Sequence, residues 1–128
     1  MPFELGIFLT TKKFGDEKQQ KKKCLILDKS PYRYQLFISD ISDQDIEAHE
    51  DKPAIVVLKV RDWLRAASKR SNIPSGSVIW GHYKNFIDEL PSMCSELNLN
   101  SKELIFSDYI YVVTVWLKIQ NKKKEILL

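Results

Sequence analysis

Glu4 is the first residue whose setting suggests chemistry. It stands in Met1-Pro2-Phe3-Glu4-Leu5-Gly6-Ile7-Phe8-Leu9, one carboxylate among Phe3, Leu5, Phe8 and Leu9. Pro2 suits the first turn of a helix, where its missing N–H would be unpaired in any case. A carboxylate placed there is held ionised by the helix dipole and perturbed by apolar neighbours. The other reading turns Glu4 to solvent or uses it to cap its own helix. Gly6 favours a site, because glycine belongs inside a helix only where something packs close against it.

A second group of candidates comes from strand ends. Cys24-Leu25-Ile26-Leu27-Asp28 is a short apolar run closing on an acid, the pattern of a parallel strand covered on both faces. In open parallel sheets, ligands bind outside the carboxyl ends of the strands. That rule selects Asp28, the run Pro31-Tyr32-Arg33-Tyr34-Gln35, and His49 after a second, more polar strand at Asp45–His49. Arg33 between two tyrosines can stack on a base or pair with a phosphate. Tyr32 and Tyr34 read equally as half-buried rings with wet hydroxyls, and His49 as a turn residue. A glycine-rich phosphate loop, paired catalytic cysteines and a Ser/His/Asp set are all missing. Cys24 and Cys94 have no metal-ligand spacing, and His49 and His82 are the only histidines, so neither a metal site nor a cofactor is expected.

The elements that must position these residues follow from periodicity. The first helix should stop at Phe14-Gly15. A Lys-rich loop then covers Asp16 to Lys23, with Lys21, Lys22 and Lys23 as a solvated edge. Tyr34, Phe37, Ile38 and Ile41 share one helical face, a crossover joining the two strands in parallel. Pro53 opens a helix to about Ser68 with Val56, Val57, Val60, Trp63, Leu64 and Ala67 as its stripe, and Glu50 and Asp51 complement its positive end. Ser71 to Ser77 reads as the one internal boundary. Beyond it, a helix over Val78–Leu90 should break or kink at Pro91, and another should start at an N-cap Ser107 and run to Ile119. Lys122 to Lys124 read as a solvated tail. The tryptophans Trp63, Trp80 and Trp116 all fall at helical core spacing.

Composition narrows the class. The chain has 128 residues, 44% hydrophobic and 11% aromatic, which fits one modest globular domain. No apolar run is long enough for a bilayer crossing, and no export signal opens the chain, so a cytoplasmic protein with two buried thiols is the expectation. A net charge of +3 is too small to argue for nucleic acid. Two strands make a poor sheet, since sheets usually hold about four to six. Strands supplied from upstream or from another chain are therefore expected, and with them a homo-oligomer.

Several segments resemble one family. Met1-Pro2-Phe3-Glu4-Leu5-Gly6, Cys24–Asp28, Tyr32-Arg33-Tyr34-Gln35 with Ile38-Ser39-Asp40-Ile41, and Asp45–His49 look like the carboxyl-terminal part of a bacterial TIR-like domain. Val60-Arg61-Asp62-Trp63-Leu64, Ile73-Pro74 and Ile79-Trp80 fit the same pattern. The Glu-Leu-Gly element is also similar to the helix start of nucleoside 2-deoxyribosyltransferases. The resemblance implies an α/β, partial flavodoxin-like parallel sheet over residues 1–70, with a helical extension over 71–128 packed on it. It implies hydrolysis or transfer at the N-glycosidic bond of a nucleotide such as NAD. Glu4 would be the nucleophile or the stabiliser of an oxocarbenium-like centre, and Asp28, Tyr32 and Arg33 would line the pocket. Glu4 would then lie within reach of Asp28 or Tyr32, with Phe3 and Phe8 shielding it and raising its pKa against the helix start. The family's upstream segment and its assisting aspartate have no counterpart in this sequence, so a truncated, inactive form is one expectation. A non-catalytic nucleotide-binding or protein-interaction module is the alternative.

Overall fold

The computed structural model describes residues 2–36 and 45–127. Its order is α1 (Pro2–Phe14), α2 (Glu17–Gln20), β1 (Leu25–Asp28), a 3-10 turn at Arg33–Leu36, β2 (Asp45–Ala48), α3 (Pro53–Ser68), α4 (Gly76–Glu96) and α5 (Phe106–Ile126). The chain is α/β, with a two-stranded parallel sheet and mostly helices. It divides into two compact units, Met1–Ser77 and Val78–Leu128. Among the described residues, no helix is long and apolar enough to cross a membrane.

In the first unit, β1 and β2 run parallel with Leu25 opposite Asp45 and Asp28 opposite Ala48, as the apolar run and the crossover length predict. The expected helical face of Tyr34, Phe37, Ile38 and Ile41 lies largely outside the described residues; its described part is the 3-10 turn. α1 packs on α2, and α3 packs on β1. α3 has the bounds its stripe and Pro53 imply, with Pro53 at the first helical position after Lys52. Two side chains tie it to β2: Trp63 Nε1 donates to Asp45 at 2.9 Å, and Lys59 meets Glu47 at 2.7 Å. Arg61 holds the segment after α3, donating to the carbonyls of Pro74 at 2.7 Å and Ile73 at 3.1 Å.

Several local readings change. The Lys-rich stretch contains a helical turn, α2, because the Asp16 carboxylate accepts from the Gln19 N–H at 2.9 Å and caps it. α1 does end before Gly15, but not by left-handed geometry, which no glycine adopts. A Cβ at Gly15 would collide with the Thr11 carbonyl and, at 2.6 Å, with Gln19 Cβ. Gly6, expected to admit a close neighbour, has open space where its Cβ would be. Cys94 is buried, whereas Cys24 is only half-buried.

The second unit is a helical pair with a core. Phe86, Met93, Cys94, Val112 and Trp116 are buried together. Phe86 meets Tyr109 and Trp116 edge-on at centroid distances of 5.7 and 5.6 Å, a geometry that adds to plain area burial. Trp116 Nε1 donates to Glu89 Oε2 at 3.0 Å, so the indole's polar atom is satisfied. α4 does not break at Pro91 but continues to Glu96. The turns beyond the proline carry Met93 and Cys94, and their burial outweighs the lost backbone bond. Asn98, in the left-handed region at φ 56°, then ends the helix. α5 begins one residue before the expected N-cap Ser107, at Phe106. Asp108 accepts the Ile105 N–H at 3.3 Å, so it is Ile105 that stands in the cap position. The lysines expected as a tail lie within α5.

Two substitutions separate these contributions. Gly6→Ala should stabilise the chain by about 0.5–1 kcal/mol, since the new methyl meets nothing and the helix gains propensity. Trp116→Ala should cost about 3–5 kcal/mol by opening a cavity and stranding Glu89. Urea unfolding followed by circular dichroism checks both signs.

Candidate functional site

The carboxyl ends of the two parallel strands meet in a turn dense with charge. The ladder continues past the strands: the His49 N–H donates to the Asp28 carbonyl at 2.9 Å, and the Glu50 N–H to the Lys29 carbonyl at 2.8 Å. This brings the chain after β1 beside the chain after β2. Three non-glycine residues here occupy the left-handed region, Tyr32 at φ 59°, Glu50 at 52° and Asp51 at 56°. Such conformations cost energy and persist where surrounding contacts impose them.

Ion pairs cluster on the same turn. Arg33 Nε lies 3.3 Å from Asp28 Oδ1, with the Asp28 side chain only 17% exposed. Asp28 Oδ1 also accepts the Lys29 N–H at 2.7 Å. The Lys29 ammonium pairs with Asp51, and Lys52 pairs with Glu50 at 2.9 Å. The Lys29 hydrogen bond holds the Asp51 carboxyl below its ordinary pKa against a small burial effect, and the charges of His49 and Arg33 act in the same direction as Lys29. Glu50 is lowered by Lys52 in the same way. His49 Nδ1 accepts the Asp51 N–H at 3.2 Å. Tyr32 is 71% exposed, so its ring is neither core nor lid to a core.

Of the residues expected to form a pocket, the structure therefore joins Asp28 and Arg33 directly and sets Tyr32 on the same turn. The ring environment of Tyr34 is outside the described side chains. Glu4 sits in the first turn of α1, on a helix whose main packing is against α2. It is exposed, and Phe3 beside it is 76% exposed, so the anticipated apolar shielding is absent. Its pKa is lowered, not raised, chiefly by a hydrogen bond from its own backbone N–H. Phe3, Gly6, Ile7, Thr10 and Thr11 line an open depression of about 490 Å³ on α1, and Glu4 is not among them.

Sequence reasoning missed the ionic partners of the turn. Lys29 reads there as part of a strand breaker, and Glu50 and Asp51 as acids serving the dipole of α3. The detectable signal was the pairing itself: once Asp28 is set opposite Ala48, Lys29 must fall beside the acids that follow His49. At the other end of the sheet, an open cleft of about 460 Å³ lies between Leu25, Asp45, Ile46, Glu47, Lys59, Asp62 and Trp63. Its Asp45, Glu47, Lys59 and Trp63 are already engaged with one another. Among the described residues, no group of histidine, cysteine or acidic side chains is arranged to hold a metal ion. No protein-family model matches the chain, and no curated protein and no solved structure matches it.

The Lys29–Asp51 pair carries a pH prediction. The folded pKa of Asp51 is depressed, so its stabilising contribution is present above the ordinary carboxylate range and is lost as pH falls through the folded pKa. In Lys29→Met, the Asp51 carboxyl should titrate closer to its ordinary value, and the Glu50 and Asp51 amides should exchange faster. A carboxyl-detected NMR titration with amide exchange on the same sample reads both.

Proposed function

We propose that the chain is a nucleotide-binding unit of TIR-like, partial flavodoxin-like type, with its ligand at the carboxyl ends of β1 and β2. The observation that carries this is the Asp28–Arg33 pair standing beside Lys29–Asp51 on that turn. Parallel sheets present ligands at this edge because side chains and backbone N–H groups converge there. Arg33 and Lys29 are cations held in place by carboxylates, and a diphosphate can exchange for those partners. Arg33 offers the planar fork that matches phosphate oxygens. The exposed Tyr32 ring supplies a surface on which a base can stack, and Asp28 supplies acceptors for ribose hydroxyls.

A second reading is cleavage or transfer at the N-glycosidic bond, with the Glu4 carboxylate as nucleophile or as the group stabilising an oxocarbenium-like centre. The resemblance of the Glu4-Leu5-Gly6 element supports that role. It differs from the binding proposal in requiring Glu4 to meet the sugar.

Calorimetric titration of the full chain with NAD and with ADP-ribose tests the binding. Arg33→Ala should weaken it at least tenfold, equal to about 1.4 kcal/mol. Failure of both ligands to bind at millimolar concentration would overturn the nucleotide reading. Chromatography of the NAD samples reads the second proposal. Glu4→Gln should leave ADP-ribose affinity unchanged while removing nicotinamide release. Unchanged release in the variant would dismiss Glu4 as the reacting group.

A further inference from the structure

α1 is apolar on two sides. Leu5, Phe8 and Leu9 turn toward the protein and are half-buried, while Phe3, Ile7, Thr10 and Phe14 are exposed. The exposed set recurs at intervals of four, three and four, which is one face of a 3.6-residue helix. Gly6 falls beside it with open space at its Cβ position, and the open depression on α1 runs along the same face. Phe3 and Phe14 are each 76% exposed. A helix apolar on all sides is ordinarily covered on all sides, and a contiguous exposed apolar stripe marks an interaction surface.

The charge beside this face selects its cover. Lys13, Lys18, Lys21, Lys22 and Lys23 are all exposed, and between Lys13 and Lys23 the acids are Asp16 and Glu17 alone. Both acids are engaged locally, Asp16 as the cap of α2 and Glu17 at 4.0 Å from Lys21. α2 packs on α1, so these lysines gather at the carboxyl end of the stripe. There Lys13 Nζ lies 5.4 Å from the centre of the Phe14 ring. Glu4, the one acid of α1, stands at the other end of the helix.

We propose that α1 lies on the surface of an anionic membrane, with Phe3, Ile7 and Phe14 against the acyl boundary and the lysines among the headgroups. This uses neither the strand ends nor Glu4 and is independent of the nucleotide reading. The lysines require a negatively charged cover, and the stripe requires one that is apolar beneath its charge. A bilayer of acidic lipids presents both in that order. Nucleic acid would match the lysines and leave Phe3 and Ile7 bare. A second copy would cover the stripe but bring the same lysine excess with it. At 13 residues, α1 is too short to cross a bilayer and lies along it.

Flotation of the full chain with phosphatidylcholine vesicles, with and without phosphatidylserine, tests the proposal. The chain should rise with the acidic vesicles and not with the neutral ones, and added salt should weaken the binding. No flotation with acidic vesicles, or equal flotation with both, would overturn it. Phe3→Ser combined with Phe14→Ser should abolish flotation with helix content unchanged by circular dichroism. Lys22→Gln combined with Lys23→Gln alters two exposed side chains and should weaken binding about tenfold; this pair decides the matter if the phenylalanine pair loses helix. Binding as tight as the parent's in either folded double variant would contradict the assignment. A chain that fails to float but sediments as a dimer, lost in the phenylalanine pair, would give the face to a second copy. Retention of a single-stranded oligonucleotide in place of vesicles, unaffected by the phenylalanine pair, would make the lysines a nucleic-acid surface.

Discussion

The first unit depends on a constraint that parallel pairing always imposes. Parallel neighbours cannot be joined by a tight hairpin, so nothing local holds four-residue strands in register. Here the work is done at the two ends. At the amino end, Trp63 and Lys59 of α3 take hold of Asp45 and Glu47 of β2. At the carboxyl end, the backbone ladder runs on to Glu50, and Lys29 crosses to Asp51. The strands are clamped by polar contacts at both ends, and no described side chain of the unit is buried.

That arrangement explains why strained backbone gathers where it does. Tyr32, Glu50 and Asp51 all lie beyond the carboxyl ends of the strands. Asp51 is fixed twice, by Lys29 on its carboxylate and by His49 on its amide. Exposed ion pairs contribute little individually, with a typical value of about 0–1 kcal/mol. Their role here is geometric, since they set the relative position of cations and acceptors on one turn.

How far the sequence disclosed this depends on where the determining forces act. α3 was legible to its ends because its stripe, Pro53 and the turn after Ser68 all agree locally. The parallel pairing was legible from the apolar run at Leu25–Leu27 and the connection length. Where a local signal met a tertiary one, the tertiary one prevailed. Pro91 signals a break, yet Met93 and Cys94 have a core to reach, and α4 continues to them. Gly15 marked the right boundary for a different reason, steric crowding at Thr11 and Gln19 in place of a left-handed turn. Gly6 and Glu4 both suggest close apolar packing, whereas the helix presents them to open space and solvent. The topological rule selects Asp28 and the run holding Arg33, and the structure pairs the two; the Lys29–Asp51 pair emerges only when the register is known.

The second unit shows what the first lacks. α4 and α5 bury a tryptophan, a phenylalanine and a valine against each other and satisfy the indole N–H with Glu89. Helices can do this as a pair, because each completes its own backbone hydrogen bonds and needs only a partner for its apolar stripe. A sheet cannot, since its edges and both faces must be completed from elsewhere. The contrast between a unit with a core and a unit without one therefore follows from secondary structure type as much as from composition. Apolar residues are present in both, in Phe3, Ile7, Phe14 and Leu27 as in Phe86 and Trp116. Only the helical pair contains the surface that covers them.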